Sequence, residues 1–185
     1  MSLDFTKAGP EVLVDQINAD NPAAAMTTAM VSFSAPWKNI DPTTKASYNT
    51  VVEITPVLGQ GFTGPMTYPY NRIDLASLFN VSNSTYAVGS AVTLSDLIDQ
   101  INTALGIKLV SPIVADPSNG ARAVAGDFID ITLPQPTAKK PSINFVLTAD
   151  PASLVYTGSA ILTLTTTAKD LAATIAVAST GLVHA

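Results

Sequence analysis

The residues with the clearest chemical pattern are the glycines of Gly59-Gln-Gly61-Phe-Thr-Gly64, a G-x-G-x-x-G run behind a plausible strand. In dinucleotide-binding proteins such a run works because a helix opens at its last glycine and presents its N-terminus to the pyrophosphate. Here Pro65-Met-Thr-Tyr-Pro69 follows, which reads as strand or turn and cannot continue as a helix. No acid stands about 20 residues on to take the ribose hydroxyl, since Asp74 is too early and Asp96 too late. The run predicts a glycine-rich hairpin turn.

Other chemistries lack their parts. The one histidine is His184, next to the last residue of the sequence, and there is no cysteine, so a histidine-based triad and a transition-metal site both lack ligands or a rigid base. Asp127 and Asp130 flank Phe128-Ile129 and would point to opposite faces of a strand. Asp96 serves better at a helix start, where it meets the positive end of the dipole. The expectation is a chain with no catalytic residues, no cofactor and no metal.

Composition points the same way. Charged residues make up 12% of the 185, about half the usual share, and the net charge is −5 with the nine basic residues scattered. That excludes the basic stripe nucleic-acid binding requires. Mean hydropathy is +0.33, yet no apolar run approaches the roughly 20 residues that span a bilayer. The opening Met1-Ser-Leu-Asp-Phe-Thr-Lys also lacks the pattern of a secretory leader. The surface must be built largely from Ala, Thr, Ser, Asn and Gly. Such charge-poor surface suits subunit contacts, whose cores are depleted in charge.

Two helices are expected. Thr93 and Asp96 form a start close to a capping box. Leu94, Leu97, Ile98, Ile101 and Leu105 then make one apolar stripe, and Gly106 ends it. A shorter helix should run from Pro10 to about Ala19 until Asn21-Pro22 stops it, and a single turn should follow Asp74. Strands are expected at Met30–Ser34, Tyr48–Val57, Met66–Tyr70, Phe128–Leu133, Ile143–Thr148, Ser153–Tyr156, Ala160–Thr167 and Thr174–Ala178, separated by Pro, Gly, Asn and Asp. The fold class is therefore mainly β (α+β), an antiparallel, sandwich-like domain with two short amphipathic helices. Leu13-Val-Asp-Gln-Ile-Asn18 recurs as Leu97-Ile-Asp-Gln-Ile-Asn102, and Phe62-Thr-Gly64 as Tyr156-Thr-Gly158, in the same order. Residues 1–185 are read as one structural domain, with two related helix-plus-hairpin units at about 1–85 and 86–178 as the finer division.

The stretch Tyr68-Pro-Tyr-Asn-Arg-Ile-Asp-Leu-Ala-Ser-Leu-Phe79 resembles a segment of virion structural proteins of large tailed bacteriophages. The resemblance extends in order over roughly residues 10–165, through Leu13–Asn18, Asn49-Thr50, Phe62-Thr-Gly64 and Leu97–Val110. It implies a virion component, assembled in the host cytoplasm, whose partners are other capsid or tail subunits or copies of itself in an oligomer or lattice. Capsid decoration by subunit packing is the first expectation. A neck, tail or baseplate component, and a carbohydrate-binding adhesin-type sandwich, are the alternatives. Tyr70, Asn71, Arg72, Asp74 and Trp37 are the residues to watch. Arg72 and Asp74 are expected to tie a strand-to-helix corner through a charge-assisted hydrogen bond, with docking of a neighbouring subunit by Arg72 as the competing role. Trp37, Tyr68, Tyr70 and Tyr86 are read first as core anchors and second as interface anchors.

Overall fold

The computed structural model of the chain describes residues 3–114 and 123–166. The expected strand Thr174–Ala178, His184 and the rest of the C-terminal stretch lie outside the described residues. Helix α1 spans Gly9–Asp20 and α2 spans Leu94–Leu105. Between and after them lie β1 (Val31–Phe33), β2 (Trp37–Lys38), β3 (Thr50–Pro56), β4 (Met66–Tyr70), β5 (Ile73–Asp74), β6 (Thr85–Ala87), β7 (Ser142–Thr148), β8 (Tyr156–Thr157) and β9 (Ser159–Thr165). The chain is mainly β with some helix, an α+β fold.

Local chemistry accounts for the helices. At α2, the Asp96 carboxylate accepts the Thr93 and Val92 N–H groups at 2.8 and 2.9 Å, and these bonds hold its pKa below the usual carboxylate value. Gly106 closes the helix in the left-handed region at φ 65°. At α1, Glu11 reaches back to the Ala8 N–H at 3.0 Å, satisfying one of the donors that every helix start leaves orphaned. A 3-10 turn at Leu75–Leu78 follows Asp74, whose carboxylate accepts from the Ala76 N–H.

In the first sheet β3 lies between β4 on one edge and β1 and β2 on the other, all antiparallel. In the second β7 and β9 form an antiparallel pair and β6 joins β9 in parallel, Tyr86 standing opposite Leu164. A two-stranded parallel contact, β5 with β8, joins the halves. The expected strand Phe128–Leu133 makes only isolated bridges, Phe128 with Ala149 and Thr132 with Thr93. It starts beside the end of β7 and finishes at the start of α2, where the Ile131 carbonyl accepts from Leu94, so it cannot remain in one ladder.

The halves repeat one plan. Asn18 clamps the chain that leaves α1, accepting the Met26 N–H and donating to the Met26 carbonyl, both at 2.8 Å. Asn102 does the same to Leu109 after α2, at 2.8 and 3.0 Å. Val52 and Ile54 on β3 turn inward under α1 as Phe145 and Leu147 on β7 turn inward under α2. Gly64 and Gly158 each precede the second hairpin strand in the left-handed region. The apolar cores are nonetheless interlocked. Val12 of α1 belongs to the larger cluster around α2, and Leu154 packs against the smaller one under α1.

Gly158 is doubly constrained. Its φ is +73°, and a Cβ there would strike the Asp74 carboxylate. Gly158→Ala should cost about 3 kcal/mol in urea unfolding, whereas Gly61→Ala, at φ +93° with open space around it, should cost about 1 kcal/mol.

Candidate functional site

Tyr70, Asn71, Arg72 and Asp74 converge where the two halves meet, each with a distinct task. The Tyr70 hydroxyl donates to the Leu154 carbonyl at 2.8 Å, and burial raises its pKa. Asn71 accepts the Asn49 N–H and donates to the Ser47 carbonyl, both at 2.8 Å. Asn49 in turn accepts the Arg72 N–H at 3.0 Å and donates to the Arg72 carbonyl at 3.1 Å. This lattice of side-chain amides holds the start of β3 against the end of β4.

The Arg72 guanidinium then crosses to the other half. Its Nη1 donates to the Pro151 and Ser153 carbonyls at 3.1 Å and to Tyr156 at 3.4 Å, while Nε donates to Thr50 Oγ1 at 3.1 Å. Burial lowers its pKa. The expected Arg72–Asp74 tie is not formed. Asp74 is occupied at the start of the 3-10 turn and sits against Gly158, while Arg72 satisfies backbone acceptors of the 151–156 turn. The only salt bridge among the described residues is Lys7–Asp15 at 2.6 Å, and both partners are only half-buried.

Below the clamp lies a buried carboxylate with no special sequence signature. Asp127 accepts the Ser153 hydroxyl at 2.6 Å and the Val110 N–H at 3.0 Å, and Ser153 Oγ accepts the Tyr156 N–H at 3.1 Å. Burial pushes the Asp127 carboxyl above the usual value, although its hydrogen bonds act to lower it. Asp130 faces elsewhere and accepts the Ser95 N–H at the start of α2, so the two acids do not converge. Asp127, Ser153 and Asn49 are residues to which sequence patterns assign no structural task. Their partners are 17 to 26 positions away, beyond any local periodicity.

The aromatic anchors divide. Tyr70 and Tyr86 are buried and Tyr68 half-buried, stacked on Tyr70 with ring centroids 6.1 Å apart. Trp37 is not a core anchor. It is 42% exposed, because β2 is a two-residue strand at the sheet edge, with no further strand beyond it among the described residues. Beside Tyr68, Pro69 and Tyr70 runs a groove of about 210 Å³, walled by Val12 and Gln16 of α1 and by Leu154. On the second sheet, Val146 and Ile161 stand opposite each other, 47% and 68% exposed.

These contacts fasten the two halves, and the one hydroxyl held against a carboxylate, Ser153 on Asp127, is buried with its partner. Among the described residues no group of three His, Cys, Asp or Glu could hold a metal ion, and no buried side-chain polar atom lacks a partner. No helix among them is long and apolar enough to cross a membrane.

Arg72→Ala strips the donors from several carbonyls and should lower unfolding free energy by about 3 kcal/mol, with Arg72→Lys recovering only part of it because an ammonium cannot reproduce the fork. Asp127 gives a pH signature of known sign. Its folded-state pKa lies above the unfolded one, so its ionisation penalises the fold at neutral pH, and that penalty is relieved as pH falls through the raised value. Thermal unfolding should therefore show the parent gaining Tm relative to Asp127→Asn as pH falls from 7 toward the ordinary aspartate value of about 3.9.

No curated protein and no solved structure matches the chain. A family model does match, over residues 3–179, and carries the description "family of unknown function". Because that match covers nearly the whole length, the chain belongs to the DUF7941 family.

Proposed function

We propose that this chain is a bacteriophage virion structural protein, a non-catalytic subunit that decorates and stabilises a capsid by packing against its neighbours. The observation that carries the packing role is the outer face of β7 and β9. There the cross-strand pair Val146–Ile161 is exposed among Asn144, Thr148 and Thr163, with no charge along either strand. A β surface that is apolar at its centre and rimmed by uncharged hydroxyl and amide groups has the composition of an interface core. The low charge of the whole chain supports the same reading, since many copies can then lie side by side without mutual repulsion. The phage setting rests on the resemblance of the Tyr70-Asn71-Arg72 segment and its ordered companions.

The protein should co-sediment with intact particles, at a copy number commensurate with the shell symmetry. Val146→Thr with Ile161→Lys should leave Tm within a few degrees of the parent, as surface changes do, yet abolish incorporation into particles. A copy number matching a tail or baseplate ring would move the subunit to that location. Absence from purified particles, or glycan binding by the isolated monomer, would sink the proposal.

A further inference from the structure

We propose that Arg72 receives an acidic side chain, Asp or Glu, from a partner polypeptide that docks on the outer face of β7 and β9. The starting observation is an arginine that the fold uses only in part. Every hydrogen bond the Arg72 side chain makes among the described residues comes from Nε or Nη1. Nη2 makes none, and since no buried side-chain polar atom lacks a partner, Nη2 reaches the surface. The guanidinium also has no carboxylate of its own, because Lys7–Asp15 is the only salt bridge among the described residues.

Arg72 lines a hollow of about 410 Å³ at the end of the β7–β9 hairpin. Three hydroxyls, those of Thr148, Thr157 and Ser159, border it. A cationic arm with hydroxyl donors beside it matches an anion. Asp150 borders the hollow as well, its Oδ1 held by the Ala152 N–H at 2.8 Å. That fixed negative charge repels a doubly charged phosphate more than a singly charged carboxylate, so the fitting ligand is a carboxylate.

Register joins the hollow to the apolar pair described above. Thr148 stands opposite Ser159 and Val146 opposite Ile161. The two pairs are therefore neighbours on one face of the sheet, about 7 Å apart along the strands. That face runs from an exposed apolar pair, past two hydroxyls, to a cation. An extended partner segment repeats at the same spacing, so an apolar residue two or four positions from an Asp or Glu meets both features. Apolar contact then supplies affinity, and the ion pair selects the partner and its register. The carbonyls that hold Nη1 fix the fork in advance, so little side-chain freedom is lost when the acid arrives. The inference rests on the packing role proposed above, and not on the phage setting.

The test uses the full chain labelled with nitrogen-15, in which NMR reads the Arg72 Nε–H directly. The probe is the blocked peptide acetyl-Val-Thr-Glu-Thr-Glu-amide. It should move the Arg72 Nε–H signal and the Val146 and Ile161 amide signals together and saturably. The same peptide with Gln for both Glu should bind about fivefold more weakly, or less tightly still. Added salt should narrow that difference by screening the ion pair. Because Arg72→Ala is itself destabilising, the site is probed through Ser159→Asp, an exposed position. Its added charge should abolish the preference for Glu at a Tm within a few degrees of the parent. Equal binding of the two peptides, or an unmoved Arg72 signal, would overturn the inference. So would competition by inorganic phosphate as strong as that of the Glu peptide, which would make the hollow a site for free anions. None of these results bears on co-sedimentation of the parent with particles, so the packing role stands or falls separately.

Discussion

The Arg72 guanidinium is the contact on which the union of the two halves depends. A partly buried cation normally needs a carboxylate to offset its desolvation. Here the offset comes from three backbone carbonyls of the 151–156 turn and from the Thr50 hydroxyl. That turn has few regular ladder partners of its own, so the cation and the turn satisfy each other. Tyr70 and Ile73 add further bonds from the same short segment, to the Leu154 carbonyl and the Val155 carbonyl. The consequence is directional. A fork of fixed N–H vectors sets the relative placement of two sheets in a way that apolar packing alone, being non-directional, does not.

Around that fastening the chain uses one device twice. An amphipathic helix covers a hairpin, and an asparagine near the helix end clamps the departing chain with both its amide groups. Each clamp turns an otherwise unpaired stretch of backbone into a hydrogen-bonded one, which a buried exit from a helix requires. The halves differ where their edges are concerned. β9 is sealed by β6 on the side away from β7, while β4 carries Pro69 and a groove. Proline on an edge strand discourages indiscriminate pairing.

Charge scarcity has the same logic throughout. With one salt bridge among the described residues, and that one on the surface, specificity falls to shape and to hydrogen bonds with uncharged partners, those of the Arg72 guanidinium included. The exposed Val146–Ile161 pair gives the outer face of β7 and β9 an apolar centre, rimmed by the uncharged Asn144, Thr148 and Thr163.

Sequence alone determined those features whose causes are local. Helix α2 is legible from its capping residues, its apolar stripe and Gly106. The bounds of β4 follow from Pro65 and the Tyr-Asn-Arg corner, and the glycine run reads as a turn because no helix can follow it. The short strands β2, β5 and β6 escape such reading, since two or three residues carry no periodicity and their partners decide their state. Both parallel pairings escape it too, because they join segments about 80 residues apart. Tertiary structure alone decided that Arg72 binds carbonyls and not Asp74, that Asp127 is buried on Ser153, and that Trp37 faces solvent. Arg72 and Asp127 each have more than one neighbour they could satisfy, and the fold decides which polar groups come within reach, whereas Trp37 is exposed because β2 lies at the sheet edge.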